Sequence, residues 1–155
     1  MGDDPTKGGH YITVWAPRQT GKTWIMREVF FKLQQDSQFD VVILSLQFLY
    51  EVTDVNRVAQ LIARELMEKL GLENLTINTS EDFHQLFKRG ILTKPLILIL
   101  DEFDALPEVA INRLVSVFRH IYNTRQSQLD KSTADKDYLL HGINWGTCRL
   151  GRGKY

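Results

Sequence analysis

Apolar residues along this chain fall into two kinds of block, short continuous runs and longer stretches with helical spacing. Tyr11–Ala16 is rich in β-branched and aromatic residues and predicts a first strand. From Lys22 to about Gln34 a helix is expected, with Met26, Val29, Phe30 and Leu33 as its apolar positions. Val41–Leu46 (VVILSL) has the continuous apolar character of a strand covered on both faces. Asp54 is placed to cap a second helix, with Val58, Leu61, Ile62, Leu66 and Leu70 along one side and Gly71 at its end. After the polar connector Asn74–Ser80, Thr79 and Asp82 predict the capped start of a short helix through Phe83, Leu86 and Phe87, closing at Gly90. Pro95 opens a strand over Leu96–Leu100. Beyond Pro107, near the start of a helix, Ile111, Leu114, Val115, Phe118 and Tyr122 make a long amphipathic stripe. Ser127–Lys136 reads as a charged loop, and Tyr138–Leu140 resumes apolar character. Strand and helix alternate throughout, which predicts a mainly parallel sheet flanked by helices, a three-layer α/β/α domain.

A length of 155 residues fits one domain with a sizeable core. The expected division is a flexible arm over residues 1–10, a core over 11–141 and an irregular tail over 142–155. Composition narrows the function classes. The 43% hydrophobic and 25% charged fractions are those of a water-soluble globular chain. A formal net charge of zero supplies no global field toward nucleic acid or acidic membranes. No apolar run approaches the ~20 residues that span a bilayer. MGDDPTKGGHY has no apolar core for a secretory signal, and Asp3, Asp4 and Lys7 break the myristoylation pattern. The one cysteine, Cys148, leaves no internal disulfide and fits a reducing compartment, so a cytoplasmic location is expected.

Two motifs carry chemistry. Ala16, Pro17, Arg18, Gln19, Thr20, Gly21, Lys22 and Thr23 (APRQTGKT) follow the phosphate-loop consensus G-x-x-x-x-G-K-[ST], with Ala16 in place of the first glycine. Gly21 lets the backbone curl so that successive amides face a β-phosphate. Lys22 would bridge the β- and γ-phosphates, Thr23 would offer its hydroxyl to magnesium, and the following helix aims its positive end at the anion. Arg18, Gln19 and Thr20 would act mainly through backbone amides. The second motif is LILILDEFD (Leu96–Asp104), an apolar strand ending in carboxylates at the Walker B position. Asp101 would hold magnesium through water, and Glu102 would orient and deprotonate the attacking water. Asp104 either extends the acidic cluster or caps the turn before Pro107, and the cap is preferred.

The remaining candidates have blander readings beside the functional ones. His10 and Tyr11 precede the first strand, where a base could stack, or are edge aromatics. Gln47 either faces the γ-phosphate or is a solvated strand end. Arg113, Arg119 and Arg125 read as surface arginines, with a trans arginine finger as the sharper alternative. Lys32, Gln34 and Gln35 read as an exposed helix face, and Trp15 and Trp24 as core. No guanine-reading N-K-x-D motif is present.

APRQTGKT, the strand end LSLQ, and ILILDEFDALPE with the later helix LVSVFRHIY resemble the AAA-like and STAND-type P-loop ATPases of prokaryotes, over about Tyr11 to Leu140. The resemblance implies ATP and Mg2+ as cofactors, with Lys22 and Thr23 as phosphate and magnesium contacts. It makes Asp101 the ligand of metal-bound water and Glu102 the hydrolytic residue. It also implies an ATP-driven switch or motor, a protein partner or self-association, and a strand after the Walker B helix that lies between the first strand and the Walker B strand. A helical lid normally follows, and the chain reads as truncated before it. Two alternatives stay open: a hydrolysis-incompetent nucleotide-binding module, and a DNA-associated ATPase fragment that the charge does not support.

The tail departs from this pattern. HGINWGTCRLGRGKY is Gly-rich and basic where an apolar central strand belongs. Codon degeneracy allows Gly142–Tyr155, displaced by one nucleotide, to read as an apolar strand, so a frameshift is the expectation there. The alternatives are a divergent tail or a basic arm touching nucleic acid, for which Arg149, Arg152 and Lys154 are slight.

Overall fold

The computed structural model describes residues 10–15, 21–128 and 137–147, with side chains over 21–128 and 137–140. Within these residues the chain runs β1 (His10–Trp15), α1 (Lys22–Gln34), β2 (Asp40–Ser45), α2 (Val55–Leu70), β3 (Leu96–Asp101), α3 (Glu108–Gln126) and β4 (Leu140–Thr147), with three short 3-10 turns between them. The four strands are all parallel, in the order β1-β4-β3-β2. This is the expected α/β architecture, and the strand after α3 lies between β1 and β3.

Strand alternation sorts the sheet into two faces. Val42, Leu44, Leu96, Leu98 and Leu100 are buried in one cluster with Val58, Ile62 and Leu66 of α2 and Leu114 and Phe118 of α3. Phe83, Phe87 and Phe118 meet edge-to-face in that cluster, with centroids 5.4 and 6.1 Å apart, the arrangement aromatic quadrupoles favour. On the other face Val41, Ile43 and Ile97 are only half-buried, and Met26 of α1 and Ile99 are buried outside the main cluster.

Local signals place the helices. Asp54 accepts a hydrogen bond from the Arg57 amide at 2.6 Å, and Gly71 ends α2 in the left-handed region at φ 63°, where a side chain would be strained. The predicted short helix is a 3-10 turn over Asp82–Phe87. At its entry the Asp82 carboxylate accepts from the Thr79 amide (3.0 Å) and hydroxyl (2.9 Å), and the Thr79 hydroxyl accepts from the Asp82 amide (3.2 Å). The hydroxyl bond is the largest influence holding the Asp82 carboxyl below its usual pKa.

Four expectations are corrected. Gly142–Thr147 belong to β4 rather than to an irregular tail, and the core extends past residue 141. Two ladders hold this strand, Gly142–Thr147 against His10–Trp15 on one side and Gly142–Trp145 against Ile97–Leu100 on the other. Backbone pairing on both sides outweighs a poor strand composition. Leu96 pairs with Leu140 and Ile97 with Gly142, so His141 forms a bulge at the strand entry. Arg125 is 1% exposed rather than on the surface, and its Nη1 donates to the Leu140 carbonyl at 2.5 Å. Trp24 is exposed rather than core, as is Val29, while Phe30 and Leu33 are half-buried. The turn before Pro107 is a 3-10 turn over Phe103–Ala105 with no side-chain cap, so Asp104 does not cap it. The expectations for residues 1–9, 129–136 and 148–155 lie outside the described residues, and the frameshift expected over Gly142–Tyr155 falls on them from residue 148 onward.

Candidate functional site

A parallel sheet gathers all its strand C-termini on one edge, and in open α/β sheets that edge is where ligands bind. Here Ser45 ends β2 opposite Asp101 of β3, and Trp15 ends β1 opposite Thr147 of β4. Ala16–Thr20 lie outside the described residues. Gly21 then adopts φ 79°, a left-handed conformation open to glycine without strain, and α1 starts at once with Lys22 and Thr23. The Ile25 amide closes the first turn onto the Gly21 carbonyl at 3.0 Å. No side chain caps this helix start and its first turn holds no acidic residue. The amides of that turn, which have no intrahelical acceptor, remain directed outward with the positive end of the helix dipole.

At the tip of β3 the acidic residues converge. Asp101 Oδ1 accepts from the Glu102 amide at 2.9 Å, and the Asp101 carbonyl accepts from the Leu46 amide at 2.9 Å. Burial raises the Asp101 carboxyl above its usual pKa. The Glu102 amide opposes that shift, the charges of Glu102 and Asp104 add to it, and the Lys22 ammonium counters it. Lys22, Asp101, Glu102 and Asp104 therefore share one electrostatic neighbourhood, although Lys22 and Asp101 are 79 positions apart in sequence. Asp104 acts within this acidic group.

Glu102 itself sits at φ 57° and ψ 40°, left-handed backbone that disfavours an L-residue by roughly 1–2 kcal/mol. Its Oε2 accepts from the Ser45 hydroxyl at 2.6 Å. Ser45 is the functional neighbour that sequence reasoning missed. Its one sequence mark is a hydroxyl inside the apolar run VVILSL, and only the strand register places it against Glu102.

The other candidates are not gathered here. Gln47 opens a 3-10 turn and lines an open hollow with Phe48, Tyr50 and Glu51. Arg113 is tied to Glu81 at 2.6 Å and to the Ser80 hydroxyl at 3.1 Å, Arg119 is exposed, and Arg125 is in the core. Lys32, Gln34 and Gln35 are exposed as expected. His10, Tyr11 and Trp15 lie in β1, where the description covers the backbone. Among the described residues no group of three or more His, Cys, Asp or Glu side chains could hold a metal by themselves, and no helix is long and apolar enough to cross a membrane.

A family model described as AAA domain matches residues 6–131, a span that takes in both the Ala16–Thr23 loop and the Asp101–Glu102 pair. A search of curated proteins finds no match.

Proposed function

The chain belongs to the AAA domain family, and from that premise we propose that it binds ATP with magnesium at the C-terminal edge of its sheet and hydrolyses the β–γ bond. The observation that carries this reading is that the Lys22 charge acts on the Asp101 carboxyl there, beside an uncapped helix start.

The residues fit a magnesium nucleotide. Asp101 is a carboxyl whose ionised form burial disfavours, and a cation next to it would offset that penalty. Thr23 would hold the ion directly and Asp101 through water. When bound, magnesium supplies neutralisation of the charge on the β- and γ-phosphate oxygens. The amides of Ala16–Gly21 and the first turn of α1 would cradle the phosphates, and Lys22 would bridge β and γ. Glu102 would hold the attacking water in line and accept its proton at a carboxylate oxygen. ATP turnover of this kind would drive a switch or motor step in a protein partner or a further copy of the chain.

A second reading has one observation in its favour. The Ser45 hydroxyl engages Glu102 Oε2, which fits a nucleotide-binding module whose carboxylate is already engaged by a protein donor. Glu102→Gln separates the two. Hydrolysis predicts that ATP binding, followed by titration calorimetry with magnesium, is retained while phosphate release falls by roughly 10²–10⁴. Equal and negligible release before and after the substitution sinks hydrolysis and leaves the binding module.

A further inference from the structure

Helix α1 turns to solvent a face that the described residues leave uncovered. Met26 is its one fully buried residue, while Trp24 is 66% exposed, Ile25 52% and Phe31 59%. Trp24, Arg27, Glu28 and Phe31 stand at i, i+3, i+4 and i+7, the spacing that lines up one stripe along a helix. All four are exposed, and among the described residues neither Arg27 nor Glu28 has an ion pair or hydrogen-bond partner.

We propose that this stripe is the contact of a two-fold dimer, in which the same helix of a second copy crosses it antiparallel. A two-fold interface must be complementary to itself. The order aromatic, base, acid, aromatic meets that condition when reversed. Trp24 then meets Phe31 of the second copy, and Arg27 meets Glu28, and the symmetry makes each contact twice. The two ion pairs sit in the middle with an aromatic pair at either end, and aromatic residues and arginine are the usual anchors of protein interfaces. A parallel pairing in register would set Arg27 on Arg27 and Glu28 on Glu28, so the charges select the antiparallel partner. A formal net charge of zero adds no long-range repulsion between copies. One 13-residue helix offers a contact below the standard interface size, so the dimer belongs to the weak, reversible class. Nothing in this proposal depends on nucleotide.

Sedimentation velocity over a concentration series, from about micromolar to about millimolar, tests it. The wild-type chain is expected to pass from monomer to dimer. Arg27→Glu and Glu28→Arg should each raise the dimer dissociation constant roughly tenfold or more. An equal mixture of the two single variants should dimerise again, because each then offers the charge that the other lacks. The double variant R27E/E28R should dimerise alone. Wild-type circular dichroism in each variant separates these effects from misfolding, and the double swap keeps the charge composition unchanged. A wild-type chain that stays monomeric throughout overturns the proposal and leaves the face to another segment or another protein. So does a dimer indifferent to both swaps, or a mixture of folded single variants that fails to recombine.

Discussion

Glu102 offers a prediction in which two variants differ in stability while both lose activity. Its left-handed backbone penalises any L-residue there by about 1–2 kcal/mol, and glycine is free of that penalty. Replacing Glu102 by alanine or by glycine removes the same hydrogen bond from Ser45 and the same negative charge beside Asp101, so those losses cancel in the comparison. What remains is backbone strain, opposed by the greater freedom glycine gives the unfolded chain, about 0.4–1 kcal/mol. The net expectation is that Glu102→Gly is more stable than Glu102→Ala by about 0.5–1 kcal/mol, the reverse of the usual order of these residues in regular structure. In a domain of this size that is a difference of roughly 1–4 °C in melting temperature. Paired urea titrations and thermal melts followed by circular dichroism resolve it, with phosphate release measured on the same preparations. Both variants should lack turnover, since neither carries a carboxylate. An alanine variant as stable as the glycine variant would falsify the strained geometry at this residue.

The remaining predictions concern the neighbouring groups. Lys22→Ala should weaken ATP binding roughly 10- to 150-fold, the loss of one charge-assisted contact of about 1.5–3 kcal/mol, read by titration with a fluorescent ATP analogue. Asp101 binds its proton more tightly in the folded chain than at the ordinary value of 3.8, so its contribution to stability falls as pH rises from that value through the raised one and stays lost above it. Asp101→Asn should therefore raise the stability of the nucleotide-free protein at neutral pH while abolishing the magnesium dependence of nucleotide binding, both checked by thermal shift with and without the ion. Asp54→Ala removes the cap on the Arg57 amide and should lower stability by about 1 kcal/mol with ATP affinity unchanged, measured by urea unfolding.

The parts of the fold that were legible in the sequence are those set by local chemistry. Asp54 and Gly71 bracket α2 because a carboxylate cap and a left-handed glycine act within one turn of the chain. The run LILIL marks β3 because both faces of that strand carry apolar side chains. What escaped depends on partners distant in sequence. β4 carries Gly142 and Gly146 and no alternation, and two neighbouring ladders define it. Ser45 became a site neighbour through its register with Asp101. Arg125 reads as a surface arginine, yet the Leu140 carbonyl gives its guanidinium a buried acceptor. In α1 apolar residues surround most of the circumference, so periodicity alone does not separate Met26, which is buried, from Trp24 and Phe31, which are not.

The position of β4 also bears on what the site can hold. Neighbouring strands stand about 4.8 Å apart, so β1 and β3, separated by β4, lie roughly 10 Å from each other. The phosphate-loop lysine follows β1 and the carboxylate pair ends β3. That span is wider than a direct contact between their backbones and leaves room for phosphate and a hydrated cation. The electrostatics agree with it: Lys22 acts on Asp101 more weakly than burial, the Glu102 amide or the Glu102 charge do. Were β1 and β3 adjacent, the lysine would neutralise the aspartate directly, and a magnesium ion would have to compete with it. In the proposed site the inserted strand would keep the two charges near enough to share one ligand and too far apart to satisfy each other. A strand poor in apolar side chains can perform that task, because spacing comes from the backbone ladder and not from the residues it carries.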